Sequence, residues 1–171
     1  MIFITVGTDH HPFDRLIRAV DDLKGNEEIK DDVFVQKGSS DYDLKSCEGE
    51  AFLPYDEMMG KLELARIVIT HGGPGSIMPV LRLGKIPLVV PREKRFGEAV
   101  DDHQIAFGER LHKMGRILLV RNIEVLGEMI GSFEITSQEK KMSVLDIEPP
   151  EKRLERFVKK LAQECRDLLG K

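Results

Sequence analysis

The sequence predicts an α/β fold, a parallel sheet with helices on both faces, and three observations carry that expectation. Short Val/Ile/Leu runs alternate with segments of helical spacing along the chain. The runs are apolar throughout rather than at every second residue, as in strands buried on both faces. Gly7, Gly38, Gly72 and Arg92 each follow such a run, and in parallel α/β sheets ligands sit beyond the carboxyl ends of the strands.

Taken in order, Ile2 to Val6 reads as a buried strand, then comes the loop Gly7-Thr8-Asp9-His10-His11-Pro12. Phe13, Leu16, Ile17, Val20 and Leu23 give the first helix its apolar stripe. Val33-Phe34-Val35 is a second strand, Gly38 to Gly49 a polar loop, and Tyr55 to Ala65 a helix with Met58, Met59, Leu62 and Ala65 inward. Ile67-Val68-Ile69-Thr70 feeds His71-Gly72-Gly73-Pro74-Gly75-Ser76, which opens a helix ending at Gly84. Leu88 to Val90 is a strand, Pro91 to Glu98 a charged loop, Asp101 to Met114 a helix and Ile117 to Val120 a strand. Ser132 to Pro150 reads as a weakly patterned connector. Residues 150–171 hold a last amphipathic helix, Glu151 to Leu169, striped by Leu154, Phe157, Val158, Leu161, Cys165 and Leu168.

With 171 residues, 41% of them hydrophobic, the chain is expected to form one domain, 1–171. A formal charge of -4 gives no global attraction to nucleic acid, so none is expected as a partner. Cys47 and Cys165 form neither a disulfide framework nor a zinc site, which suits a reducing cytoplasm. The apolar start stops at Gly7, too short for a signal peptide or membrane span, so the chain is expected to be soluble.

The glycine loop is the most informative motif. A strand feeding glycines and then a helix start gathers unpaired N–H groups and the positive end of a helix dipole, where a phosphate fits. A plain packing turn is the simpler reading of the same glycines. The loop lacks the Gly-Lys-Ser/Thr ending of a Walker A motif, and Met78 stands where a dinucleotide fingerprint has its third Gly. In Phe96 to Gln104, Asp101 and Asp102 suit a helix start, whereas His103 and Gln104 both donate and accept, as sugar hydroxyls require. Asp41-Tyr42-Asp43 resembles a metal-holding triplet, but in a chain with 30 acidic residues such triplets arise by chance, and no metal is expected. His10 and His11 are candidate catalytic bases near pH 7.

These stretches together resemble a known family. Val6-Gly7-Thr8 with Pro12-Phe13-Asp14-Arg15-Leu16-Ile17, Thr70 to Ile77, Gly84-Lys85-Ile86-Pro87, Val90-Pro91-Arg92, and Phe96-Gly97-Glu98 with Asp102-His103-Gln104 resemble the glycosyltransferase family 28 C-terminal domain. The resemblance implies a Rossmann-like sheet like the C-terminal half of a GT-B glycosyltransferase. It is nearest to the small split enzymes, bacterial exopolysaccharide transferases and the eukaryotic dolichol-linked GlcNAc transferase, in which a short chain is the donor-binding half.

From that resemblance follow a UDP-sugar donor, a membrane-anchored partner subunit, a lipid-linked acceptor, no cofactor, and a cytoplasmic location peripheral to the membrane through the partner. The expected diphosphate site comprises the amides of Gly73, Gly75 and Ser76, with His71, Gly72 and Arg92. Gly7 and Thr8 lie near it, His103 and Gln104 touch the sugar with Asp102 beside them, and the backbone around Phe52, Leu53 and Tyr55 meets the uracil. Many relatives hold the ribose through a Glu one turn into the loop helix; this chain has Pro79 there, which leaves Glu98 as the candidate and predicts a kink. The basic last helix, with seven Lys/Arg against four Asp/Glu, suits a partner or membrane surface, or its own domain. Two other functions fit the same residues: a non-catalytic nucleotide-sugar-binding or enhancer subunit, and a stand-alone nucleotide-sugar hydrolase or epimerase.

Overall fold

Strand β1, Ile2–Thr5, is buried along its whole length because it lies at the centre of a parallel sheet. The computed structural model describes residues 1–145. The sheet runs in the order β3-β2-β1-β4-β5-β6, with β2 Val33–Gln36, β3 Glu48–Glu50, β4 Ile67–His71, β5 Leu88–Val90 and β6 Leu118–Leu119. All five pairings are parallel. The order reverses between β1 and β4, the switch point at which loops part and leave a crevice beyond the carboxyl ends.

The helices are α1 Asp14–Gly25, α2 Tyr55–Leu64, α3 Pro74–Arg82, α4 His103–Lys113, α5 Leu126–Gly131 and α6 Phe133–Leu145. Alternate strand residues serve opposite faces. Ile2, Ile4, Ile67, Ile69, Leu88 and Val90 pack with Leu16, Ile17 and Val20 of α1 and with Leu126, Ile130 and Phe133. On the other face, Phe3 and Val68 meet Leu62 and Val80, and Val89 and Leu119 meet Ile77, Leu111 and Phe107. Runs apolar at every position are therefore what the two covered faces demand.

Two elements depart from expectation. β3 lies at the end of the stretch predicted as a polar loop; its Glu-Gly-Glu is exposed and pairs with β2 through backbone alone, so no apolar pattern marks it. Residues 133–145, predicted as connector, are helix α6, which has no apolar stripe to signal it. The expected helix over 151–169 lies outside the described residues. Helix α3 runs through Pro79 to Arg82, with the Pro79 carbonyl accepting from the Leu83 N–H at 3.2 Å.

Buried Asp21 organises the loop between β2 and β3. Its carboxylate accepts from the N–H groups of Lys45, Ser46 and Cys47, each at 2.9 Å, and from the Tyr42 hydroxyl at 3.1 Å. Burial alone would raise its pKa, but these donors outweigh it and hold the carboxyl below its ordinary value. A depressed folded pKa stabilises above the unfolded value of 3.8 and is lost as pH falls through that value toward the folded one. Asp21→Ala, which strands three amides, is expected to cost about 2–4 kcal/mol at pH 7 in urea unfolding. The gap from wild type should narrow in acid below the unfolded pKa. Cys47, half-buried beside this carboxylate, has its thiol pushed up to about 12, chiefly by burial.

Candidate functional site

Parallel strands bring four loops to one edge. Gly7 to Pro12 follows β1, Gly72 and Gly73 follow β4, which ends at His71, Pro91 to Asp102 follows β5, and Ala51 to Pro54 follows β3. Gln36 ties the first and last of these: its amide donates to the carbonyls of Gly7 at 3.0 Å and Ala51 at 2.9 Å. Its own oxygen accepts from the Thr5 hydroxyl.

Buried His71 is the hub of the glycine loop. A Cβ on Gly7, whose φ is +79°, would lie 2.5 Å from the ring, and one on Gly73 2.2 Å from it. A Cβ on Gly72 would lie 2.8 Å from Gln104. These three glycines are needed for packing, the plainer of the two readings. Gly75 differs: a Cβ there meets nothing within 4 Å, so its backbone faces open space.

The amides of the loop also divide. The Gly73 N–H donates to His71 Nδ1 at 3.0 Å, and the Ser76 N–H donates to the Gly73 carbonyl at 3.1 Å. The expectation of three amides at the anion is therefore corrected. Among the described residues, the Gly75 N–H is left at the α3 N-terminus without a protein acceptor, and the Ser76 hydroxyl shares a hydrogen bond with His71 Nε2 at 2.9 Å. Burial, with the Arg92 charge beside it, pushes the His71 pKa down to about 4, so its ring is neutral at physiological pH.

Arg92 is a second correction. Its side chain is 1% exposed, and its guanidinium donates to the carbonyls of Val6 (2.8 Å), His11 (2.7 Å) and Glu98 (3.0 Å), lying 4.8 Å over the Phe13 ring. It fastens the loops after β1 and β5 to each other, and its guanidinium, whose Nε has no partner among the described residues, is enclosed rather than open to a diphosphate. Glu98 is a third: it is buried, both oxygens are held by Arg15 at 2.9 Å, and one also accepts the Glu93 N–H. A carboxylate so engaged offers nothing to a ribose.

Other expected residues reach the edge in usable form. Thr8 is exposed. Gln104 is buried, with its oxygen accepting the Arg92 N–H at 3.2 Å and no acceptor for its NH₂ among the described residues. Asp102 caps the turn over Lys94–Phe96 by accepting the Lys94 N–H. Phe52 and Tyr55 are 52% and 72% exposed beside the carboxyl end of β3, while Leu53 packs inward.

Two residues outside the expected site orient histidines here. Asp9 accepts both the backbone N–H and ring Nδ1 of His11, at 2.8 and 2.6 Å. Asp101 does the same for His103. Those His11 bonds, backbone first, lower the Asp9 pKa, and matching bonds lower that of Asp101. The repeated Asp-x-His spacing was the available signal. His10 is 85% exposed and 3.6 Å from Asp9, too far for a hydrogen bond. Asp9, His10 and His11 place ligand atoms within 4.8 Å of one another, but the Asp9–His11 bond already occupies two of them.

Fold and site define an α/β protein that gathers its loops and the N-terminus of α3 at a topological switch point. Residues 1–132 match the glycosyltransferase family 28 C-terminal domain, and the chain belongs to that family. It is 35% identical over 72 residues to the UDP-N-acetylglucosamine transferase subunit ALG13 of Yarrowia lipolytica, covering 42% of this chain and 35% of that one. To the subunit ALG13 of Homo sapiens it is 30% identical over 125 residues, 68% of this chain and 10% of that one. To the UDP-N-acetylglucosamine--N-acetylmuramyl-(pentapeptide) pyrophosphoryl-undecaprenol N-acetylglucosamine transferase of Solibacter usitatus it is 30% identical over 111 residues, 65% of this chain and 27% of that one. The chain thus spans 35% or less of the length of these relatives. The fold is shared with the kitacinnamycin glycotransferase (TM-score 0.61, 16% identity, 84% of this chain and 37% of that one). It is also shared with the calicheamicin glycosyltransferase CalG4 (TM-score 0.54, 15% identity, 95% and 43%). No helix among the described residues is long and apolar enough to cross a membrane.

Proposed function

We propose that this chain is the donor-binding part of a UDP-sugar glycosyltransferase, and that a membrane-anchored partner subunit supplies the other half and a lipid-linked acceptor. The observation that carries this reading is the Gly75 N–H at the start of α3, left without a protein acceptor among the described residues and facing open space, with the Ser76 hydroxyl beside it, at the switch point of a family 28 domain. Departure of UDP places charge on a diphosphate, and uncharged donors aligned with a helix dipole stabilise that charge where it develops. The names of the relatives favour UDP-N-acetylglucosamine as donor.

The remaining edge residues take matching roles. The Gln104 NH₂ and the ring of His103 face the sugar, Thr8 lies beside the diphosphate, and the backbone from Phe52 to Tyr55 meets the uracil. His11, with its Nδ1 hydrogen held by Asp9, presents Nε2 as the base for the acceptor hydroxyl, a better-ordered candidate than His10. The exposed side chains of Phe52, Tyr55, Phe96 and Val100 around the carboxyl edge suit closure by a second half. Attachment through that partner would hold the chain at the cytoplasmic membrane surface.

Calorimetric titration with UDP, UDP-GlcNAc, UDP-Glc and UDP-Gal tests the reading. Saturable binding of UDP and of one sugar nucleotide above the others, without steady-state release of UDP by the chain alone, is the expected result. Rapid UDP release by the chain alone would replace it with a self-sufficient hydrolase, and no binding of any of the four would overturn it.

A further inference from the structure

His71 is buried at the site, and its contacts specify a single protonation state. A backbone N–H can only donate, so the Gly73 N–H at 3.0 Å requires a bare lone pair on Nδ1. The ring proton is then on Nε2, 2.9 Å from Ser76 Oγ, and the serine oxygen must accept it. An oxygen that accepts from the ring has its own hydrogen to place elsewhere, and no acceptor takes it among the described residues. The opposite tautomer would set two donors face to face at Gly73 and draw the serine hydrogen inward.

Neighbouring groups pull both ways. Gln104 Oε1 lies 3.5 Å from Nδ1 and favours a proton on the ring, but it is farther from Nδ1 than the Gly73 nitrogen at 3.0 Å. The Arg92 charge opposes a second proton on the ring, and that of Asp9 favours it. Burial and Arg92 prevail, which keeps the ring neutral.

We propose that His71 is a positioning residue: a neutral, Nε2-protonated ring that turns the Ser76 hydroxyl hydrogen outward to an anionic ligand at the α3 N-terminus and acts on that ligand only through Ser76. The ligand identity, a nucleoside diphosphate, rests on the function proposed above. The arrangement of ring and hydroxyl does not, and inorganic pyrophosphate serves as a second probe.

Long-range ¹H–¹⁵N correlation spectra of the wild-type chain between pH 5.5 and 8 should show His71 with a protonated Nε2 and a bare Nδ1. Ser76→Ala is expected to weaken UDP binding about ten- to a hundredfold, the worth of a hydrogen bond to a charged group. Ser76→Thr, which keeps the hydroxyl, should retain most of the affinity. His71→Asn keeps an acceptor near Gly73 but cannot reach Ser76. Added to Ser76→Ala, it should weaken UDP no further, the non-additivity expected of residues acting as one unit.

A protonated Nδ1, wild-type affinity in Ser76→Ala, or additive losses in the double variant would each overturn the proposal. The first two outcomes need no His71 variant to fold. If UDP does not bind but pyrophosphate does, the donor reading falls and the same variants measured with pyrophosphate decide the role of His71. If neither binds, both fall.

Discussion

Replacing Gly75 with aspartate is expected to reduce UDP affinity by at least about a hundredfold while leaving the fold as stable as before. The two halves of that result have separate causes. A Cβ at Gly75 meets nothing within 4 Å, so the new side chain disturbs no packing. An acidic residue in the first turn of α3 also suits the helix dipole, and thermal unfolding should show an unchanged or slightly raised midpoint. The carboxylate would stand in the space that the diphosphate is proposed to fill. Two like charges about 4 Å apart at a protein surface repel by roughly 4 kcal/mol, well above a hundredfold. Gly75→Ala, which fills little space and adds no charge, is the control and should bind within a few-fold of wild type. Unchanged UDP affinity in Gly75→Asp, measured by calorimetry on folded protein, would place the anion elsewhere.

The second large effect falls on stability instead. Arg92→Met is expected to cost about 3–5 kcal/mol in urea unfolding, because it strips partners from buried carbonyls of Val6, His11 and Glu98 together. Arg92→Lys should recover only part of that, since a single ammonium cannot reach both loops with the planar fork that bridges them. UDP affinity of the folded Arg92→Met protein should move far less than that of Gly75→Asp. A side chain that held the diphosphate directly would show the reverse pattern, affinity lost and stability kept. Comparing the two variants by titration and by denaturation therefore separates an anion contact from a tie between loops.

Much of the architecture was legible because it rests on local patterns. Ile2 to Val6, Ile67 to Thr70 and Leu88 to Val90 are apolar at every position, and a strand covered on both faces has no other composition open to it. Helix α1 shows its stripe for the same reason, with Leu16, Ile17 and Val20 buried against the sheet. β3 and α6 lack such signals. The first is an exposed Glu-Gly-Glu held by backbone bonds to β2, and the second has almost no segregation of apolar residues around its axis.

For the site, sequence determined location. A glycine loop after one strand, and polar stretches after the others, could only converge once the strands ran parallel, and the family resemblance followed from those same residues. Tertiary structure decided which groups are still free when they arrive. Gly7, Gly72 and Gly73 make room for His71 and Gln104, while Gly75 alone of the loop glycines opens outward. Arg92 and Glu98 read as ligand contacts by type, yet one is consumed by carbonyls and the other by Arg15. Residue type lists the hydrogen bonds a side chain is able to make. Only the packed structure shows which of them the protein has already used, because each partner comes from a segment distant in the chain.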